Sequence, residues 1–394
     1  MATPVLTMAH GVSFRHLERM TDDTGLLEHA MGCIPRREEG YTTDDNARAL
    51  WACLEWLDLL PPEDAARRET LMRLADTYLS FLLWAARKDG TFHNNFTYGR
   101  EPEGEAPSED CHGRVLWALV LAMERWPDHR RGVVAETLLA AALPHAAAMR
   151  FPRGQSHALL ALCRLLETAE RRSMPAGSGV FGARDADFPS AEQIEKWARL
   201  LEERLIHAFR LHADDKWRWP EEAMTYANGI LPAALLAAYL RFGRRETGEI
   251  ARQMLDFLVE NMSAPKGGIR PIGNKGWCTR EHCARWDQQP LEAMKLALAC
   301  RYGWLAFRDS RYAETARACR AWFHGLNDAG APLVDGDGGC CDGINEDGPN
   351  FNRGAESTLS HLLTEAICLR LERESAAGEE EPAALGRAPD VKRL

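Results

Sequence analysis

No stretch of the 394-residue chain approaches the ~20 consecutive apolar residues that cross a membrane as a helix, so no membrane association is expected. Residues 1–10 lack the basic segment and apolar run of a secretory signal, which points to a cytoplasmic protein. Binding a phosphate backbone needs a clustered basic face. The formal charge of −10 argues against a nucleic-acid backbone as partner. The phosphate-loop and dinucleotide fingerprints are absent, as is the Gly-x-Ser-x-Gly elbow of many hydrolases. These absences remove the commonest cofactor enzymes, and no cofactor is expected. Strand-like alternation is nearly absent, and no linker divides the chain.

Disulfides and metals are not expected either. The eleven cysteines are odd in number, and Cys53, Cys163, Cys300, Cys319 and Cys368 fall within helical runs, as buried free thiols do. Cys278, His282, Cys283, Cys340, Cys341 and Asp342 are ligand types, but their spacing does not match paired zinc ligands. The Asp335-Gly336-Asp337-Gly338 loop departs from the twelve-residue calcium pattern.

What the chain does have is a pattern repeated six times, a polar cluster opening an apolar helical run. The clusters are Thr43-Asp44-Asp45-Asn46, Ser108-Glu109-Asp110-Cys111-His112, Gln155-Ser156-His157, Thr225-Tyr226-Ala227-Asn228, Trp286-Asp287-Gln288-Gln289 and Asn352-Arg353-Gly354-Ala355-Glu356. Successive clusters leave room for an inner helix, a turn, an outer helix and a return loop. Inner helices are expected over 45–60, 110–126, 154–170, 226–242, 287–307 and 354–373. Outer helices are expected over 13–30, 65–87, 132–149, 190–210, 245–261 and 310–325. This is an all-α (α/α)6 toroid, a six-hairpin barrel with inner-helix N-termini at the active-site rim. It occupies residues 1–373 as a single domain, and the Gly-Glu-Glu-Glu-Pro tail over 374–394 reads as disordered.

Helix ends carry their own chemistry. Pro61-Pro62 stops the first inner helix, and Asp44, Ser108, Asp287 and Asn352 stand where a side-chain oxygen can cap free amides. Runs such as 115–123 and 229–240 are apolar all round, as enclosed helices must be. Along 190–206 Ile194, Trp197, Leu200, Leu201 and Leu205 form one stripe opposite charged residues. The long loops, 88–108, 171–188, 211–224, 262–286 and 327–353, are where function is expected.

Five motifs in order, from Met20-Thr21-Asp22-Asp23-Thr24-Gly25-Leu26 through Gly40-Tyr41-Thr42-Thr43-Asp44-Asp45-Asn46-Ala47-Arg48, Ser108-Glu109-Asp110-Cys111-His112-Gly113-Arg114 and Asp287-Gln288-Gln289-Pro290 to Arg353-Gly354-Ala355-Glu356-Ser357, resemble a group of bacterial domains. Those domains occur alone or fused behind a retaining glycosyltransferase. The resemblance implies a toroid similar to six-hairpin glycosidases and a functional link to a glycosyltransferase, although nothing here resembles a nucleotide-sugar-binding domain. Asp45 and Asp110 are placed similarly to the acidic pair of unsaturated-glucuronyl hydrolases.

The expectation is therefore a carbohydrate-active enzyme, an inverting glycoside hydrolase acting on an oligosaccharide or exopolysaccharide fragment. Asp110 is the expected acid and Asp45 the expected base, with Glu356 the rival for either role. The same pocket with arginine-held phosphate makes a phosphorylase. The expected substrate-binding residues are Asp44, Arg48, His93, Asn94, Glu109, His112, Arg114, His157, Trp219, Tyr226, Trp286, Asp287, Gln288, Asn352 and Arg353. Two alternatives stay open. One is an epimerase or lyase using His112, His157, His361 or Tyr226 as base. The other is a non-catalytic carbohydrate-binding domain.

Overall fold

The computed structural model describes residues 11–126, 130–171 and 188–380. Among them are twelve α-helices. The six inner ones are α2 (Thr43–Leu59), α4 (Glu109–Arg125), α6 (Pro152–Arg171), α8 (Ile230–Phe242), α10 (Pro290–Phe307) and α12 (Ala355–Glu380). Each packs on the next in that order, and α12 returns to α2, so the ring is closed. The outer helices are α1 (Arg15–Met20), α3 (Ala65–Ala85), α5 (Gly132–Ala142), α7 (Ala191–His212), α9 (Arg245–Met262) and α11 (Ser310–Phe323). The protein is an (α/α)6 toroid.

Burial follows the layers. In α4 every residue from Cys111 to Met123 is buried, and so is every residue of α8 from Ile230 to Ala238. An outer helix buries one face only: α7 hides Ile194, Ala198, Leu201, Leu205 and Ile206, while Leu200 is exposed and Trp197 half-buried. No helix among the described residues is long and apolar enough to cross a membrane. All eleven cysteines are free thiols.

The caps differ in part from expectation. Ser108 accepts from the Cys111 amide at 3.2 Å, as expected. At α2 the capping oxygen belongs to Thr42, which accepts from the Asp45 amide at 3.3 Å and leaves Asp44 free to face the ring. The residue before Pro290 is extended, so Gln289 precedes α10 and Asp287 lies further out. At α12 it is Asp342, not Asn352, that accepts from the Gly354 amide (2.7 Å).

Four expected helices differ in extent; the third outer one, expected over 132–149, ends as an α-helix at Ala142 and continues to Ala148 as a 3-10 helix. The first outer helix ends at Met20 because the Asp22 carboxylate accepts from the Thr24 and Gly25 amides (2.8 and 3.2 Å) and builds a turn. The fourth inner helix begins at Ile230, after Ala227 takes a left-handed φ of 51°. The last helix runs on to Glu380, past the expected start of the tail, with Arg301 reaching Glu374 at 3.0 Å. Residues 381–394 of that expected tail, and 172–187 of the expected loop over 171–188, lie outside the described residues.

Three two-stranded ribbons decorate the rim: Ala30–Met31 with Ile34–Pro35, Tyr41–Thr42 with Asn95–Phe96, and Gly343–Asn345 with Gly348–Asn350. The second pairs Thr42 with Asn95 and so pins the 88–108 loop to the start of α2.

Close approach of the inner helices depends on glycine. A Cβ on Gly229 would stand 2.1 Å from the Lys295 carbonyl oxygen of α10. Backbone cannot yield as a side-chain tip does, so Gly229→Ala is expected to cost ~1–3 kcal/mol or more through overpacking. A urea midpoint unchanged from the parent would contradict this.

Candidate active site

Two arginines organise the mouth of the ring. Arg48, on the second turn of α2, is 2% exposed; its guanidinium reaches Asp45 at 2.8 Å, Glu356 at 3.1 Å and Asp44 at 3.3 Å. Arg114, on α4, reaches Asp44 at 2.8 Å and Asp110 at 3.2 Å. Asp44 thus links the two arginines, and the Tyr226 hydroxyl donates to Asp110 at 3.0 Å. Spacings of three and four residues put each acid and its arginine on one helical face. Convergence of the inner helices brings the separate faces together.

A cavity of about 460 Å³ opens over this network. Asp44, Asp45 and Glu356 line it together with Glu28, His29, Asn274, Asp287, Gln288, Gln289, Asp342, Asn345, Asn350 and Ser357. Asp110 does not line it; it stands one arginine away, with Oδ1 buried, making no hydrogen bond and 3.8 Å from His157 Nδ1.

The two adjacent aspartates are electrostatically unlike. Burial, reinforced by the carboxylates of Asp44, Glu356 and Glu28, pushes Asp45 up to about 7 despite Arg48. Burial also acts on Asp44, but Arg114 and Arg48 outweigh it and hold Asp44 below the usual carboxylate range. At neutral pH Asp45 is therefore a reservoir for a proton and Asp44 an anion.

Beneath the network lies Lys295 of α10, 1% exposed, donating to His157 Nε2 at 3.1 Å. His157 Nδ1 donates to the Arg153 carbonyl (2.9 Å), so Nε2 is free to accept. Burial, then the neighbouring arginines, push Lys295 well below the ordinary amine range. Burial and Lys295 likewise push His157 down. Glu292, one turn earlier, accepts from the amides of Ala227 and Asn228 and from Asn228 Nδ2 (2.8 Å). Arg153 grips the same turn through the Tyr226 carbonyl (2.6 Å), Thr225 Oγ1 (2.7 Å) and Glu221 (2.7 Å). Together they hold Tyr226 toward Asp110.

Other expected residues are engaged elsewhere. Trp219 is fully buried, so it is a core wedge with no face for a sugar ring. His112 bonds the Ala142 carbonyl (3.0 Å), and burial pushes it down to about 4. Glu109 accepts from the amides of Arg150 and Phe151 (2.7 and 2.8 Å) at the start of α6. Asn94 accepts from the Ser108 amide (3.2 Å), and the His93 ring packs on Phe96. Trp286 is half-buried with Arg285 over its ring. Gln288 lines the cavity, yet its side chain is held by Asp328 (2.8 Å) and Trp322 (3.3 Å). Asn352 accepts from the Gly32 amide (3.0 Å), and Arg353 pairs with Asp335 (2.8 Å).

Sequence reasoning missed Glu28, His29, Asn274, Asn345, Glu292 and Lys295. The last two had a signal, charges inside a run expected to be apolar all round.

No protein-family model matches the chain, and no curated protein sequence matches it. Solved structures do. An α-mannanase of family GH76 from Bacteroides thetaiotaomicron superposes with a TM-score of 0.62 at 11% identity, over 95% of this chain and 98% of that one. A cellobiose 2-epimerase from Bacillus thermoamylovorans gives 0.66 at 10% identity, over 94% and 98%. A cellobiose 2-epimerase from Spirochaeta thermophila gives 0.63 at 12% identity, over 95% and 96%. At these identities the likeness establishes the fold.

Proposed function

We propose that the chain is a glycoside hydrolase in which Asp45 donates a proton to the leaving glycosidic oxygen and Glu356 activates water. The observation that carries this is the pair of carboxylates facing one cavity and sharing the Arg48 guanidinium, one of them raised to about 7. The proton on Asp45 passes to the departing oxygen as the C–O bond breaks. Glu356 takes a proton from the water whose oxygen bonds the anomeric carbon. This assignment moves the acid from Asp110, which stands outside the cavity, to Asp45.

The geometry favours hydrolysis over the epimerase reading for a specific reason. Of the expected bases, His112 is turned to Ala142 and His361 lies on α12 beside Glu365, away from the cavity lining. The free nitrogen of His157 faces Lys295, and burial pushes the Tyr226 hydroxyl up to about 12. The cavity lining also suggests the substrate class. Glu28, Asp287 and Asp342 add carboxylates around a space whose two nearby guanidiniums are already taken. A neutral or amine-bearing oligosaccharide fits, and a uronate is repelled.

The test is incubation of purified protein with neutral, amino-sugar and uronate oligosaccharides, reading bond cleavage and sugar isomerisation separately. Cleavage of neutral or amino-sugar chains is expected. Isomerised product of unchanged length, or activity confined to uronates, would sink the reading. Because the acid must carry its proton, kcat/KM is expected to fall about tenfold per pH unit as pH rises above about 7. A flat profile from pH 6 to 9 would remove Asp45 from the role.

A further inference from the structure

A second set of reactive side chains lies outside this cavity, between the last outer and last inner helices. His361 and Glu365 are four residues apart on α12 and therefore on one face. His324 follows the end of α11. One ligand atom from each lies within 4.8 Å of the other two. His324 Nε2 is 2.6 Å from Glu365 Oε1, and His361 Nε2 is 3.7 Å from the same oxygen. None of the three lines the cavity over Asp45.

The state of His361 makes the group more than an ion pair. Its side chain is 4% exposed, Nδ1 is buried without a partner, and Nε2 is beyond hydrogen-bond reach of Glu365. An ion at Nε2 would give that nitrogen the close partner it lacks, with the proton of the ring on Nδ1. Arg320, the arginine of α11 nearby in sequence, is drawn to Glu372 at 2.8 Å. The His324 side chain is 53% exposed, which gives a small ion access from solvent.

We infer that His324, His361 and Glu365 form a binding site for a divalent transition metal of the zinc class. Two imidazoles and one carboxylate suit this ion, whose bonds of ~2.0–2.2 Å place tetrahedral ligand atoms ~3.3 Å apart. The two spacings to Glu365, 2.6 and 3.7 Å, bracket that figure. Rotation of the exposed His324 ring opens the close contact to Glu365, and a fourth position remains for water. The ion ties the last outer helix to the last inner one, a structural role that does not depend on the hydrolase reading.

The experiment uses the full chain stripped with a chelator and titrated with Zn²⁺ against a chromophoric competitor. Uptake of one equivalent with micromolar or tighter Kd is expected, with a rise in Tm. Co²⁺ in its place is expected to give the visible bands of a tetrahedral site without a thiolate charge-transfer band. His324→Ala changes an exposed ring and keeps the fold, and it is expected to weaken Zn²⁺ binding at least tenfold; Glu365→Gln does the same from the buried side. No uptake, uptake unaffected by both substitutions, or a thiolate band showing that the ion sits on cysteines instead would each overturn the assignment.

Discussion

Asp45→Asn is expected to lower kcat by about 10³-fold, in the ~10²–10⁴ range of a lost general acid, while changing saccharide affinity only a few-fold. The substitution is nearly isosteric. Its carbonyl oxygen still accepts from Arg48, and its amide meets a Thr42 hydroxyl that can accept instead of donate. What disappears is the transferable proton. The fall in kcat/KM as pH rises above about 7 should vanish with it, since that limb belongs to Asp45 in the free enzyme. A structural role would lower activity by lowering the amount of folded protein and would leave the pH profile in place. Steady-state kinetics from pH 5 to 9, with calorimetric binding of the same oligosaccharide, separate the two. A kcat within a few-fold of the parent would shift attention to Asp110, whose buried Oδ1 makes no hydrogen bond. Unchanged binding without any parental turnover would favour a binding domain.

The ring was legible because its signal is periodic and local. Six polar clusters opening apolar runs mark six inner-helix starts, and helical spacing alone puts Arg48 beside Asp44 and Asp45, and Arg114 beside Asp110. Glu356 was legible for the same reason, as an acid in the first turn of an inner helix. Which side chains from different hairpins meet was not legible, because that depends on the return loops. Glu28 and His29 reach the cavity only because the Asp22 turn ends α1 early, where periodicity continued the helix. Trp219 shows the opposite error. A tryptophan in a loop reads as a platform, yet here the loop folds back and buries it fully. Aromatic residues and amides in loops are ambiguous because both sugar faces and loop anchors use them. The anchoring use won for Asn94, Gln288 and Asn352.

Arg48→Met should couple stability to pH in a way the parent does not. Arg48 is the cation shared by Asp45, Asp44 and Glu356, and breaking a buried pair typically costs ~3–5 kcal/mol because a charge is left unmatched. Asp44 retains Arg114, and Glu356 is 40% exposed, so water screens its loss. The full penalty therefore falls on Asp45, whose side chain is 7% exposed. Arg48 is the influence that lowers Asp45 against burial, so its removal drives the folded-state pKa further above about 7. For a carboxyl whose folded pKa lies above its unfolded value, the folded state holds the extra proton, and stability falls as pH rises between the two. Parent and variant share this slope up to about pH 7. Above it only the variant continues to lose stability. The difference in urea unfolding free energy should therefore be larger at pH 8 than at pH 6, with Asp45 protonated and the penalty partly relieved at the lower pH. Adding Asp45→Asn to the variant should remove that difference between the two pH values. Equal losses at pH 6 and pH 8 would mean that the carboxylates are solvated independently and that Arg48 does not set the proton affinity of Asp45.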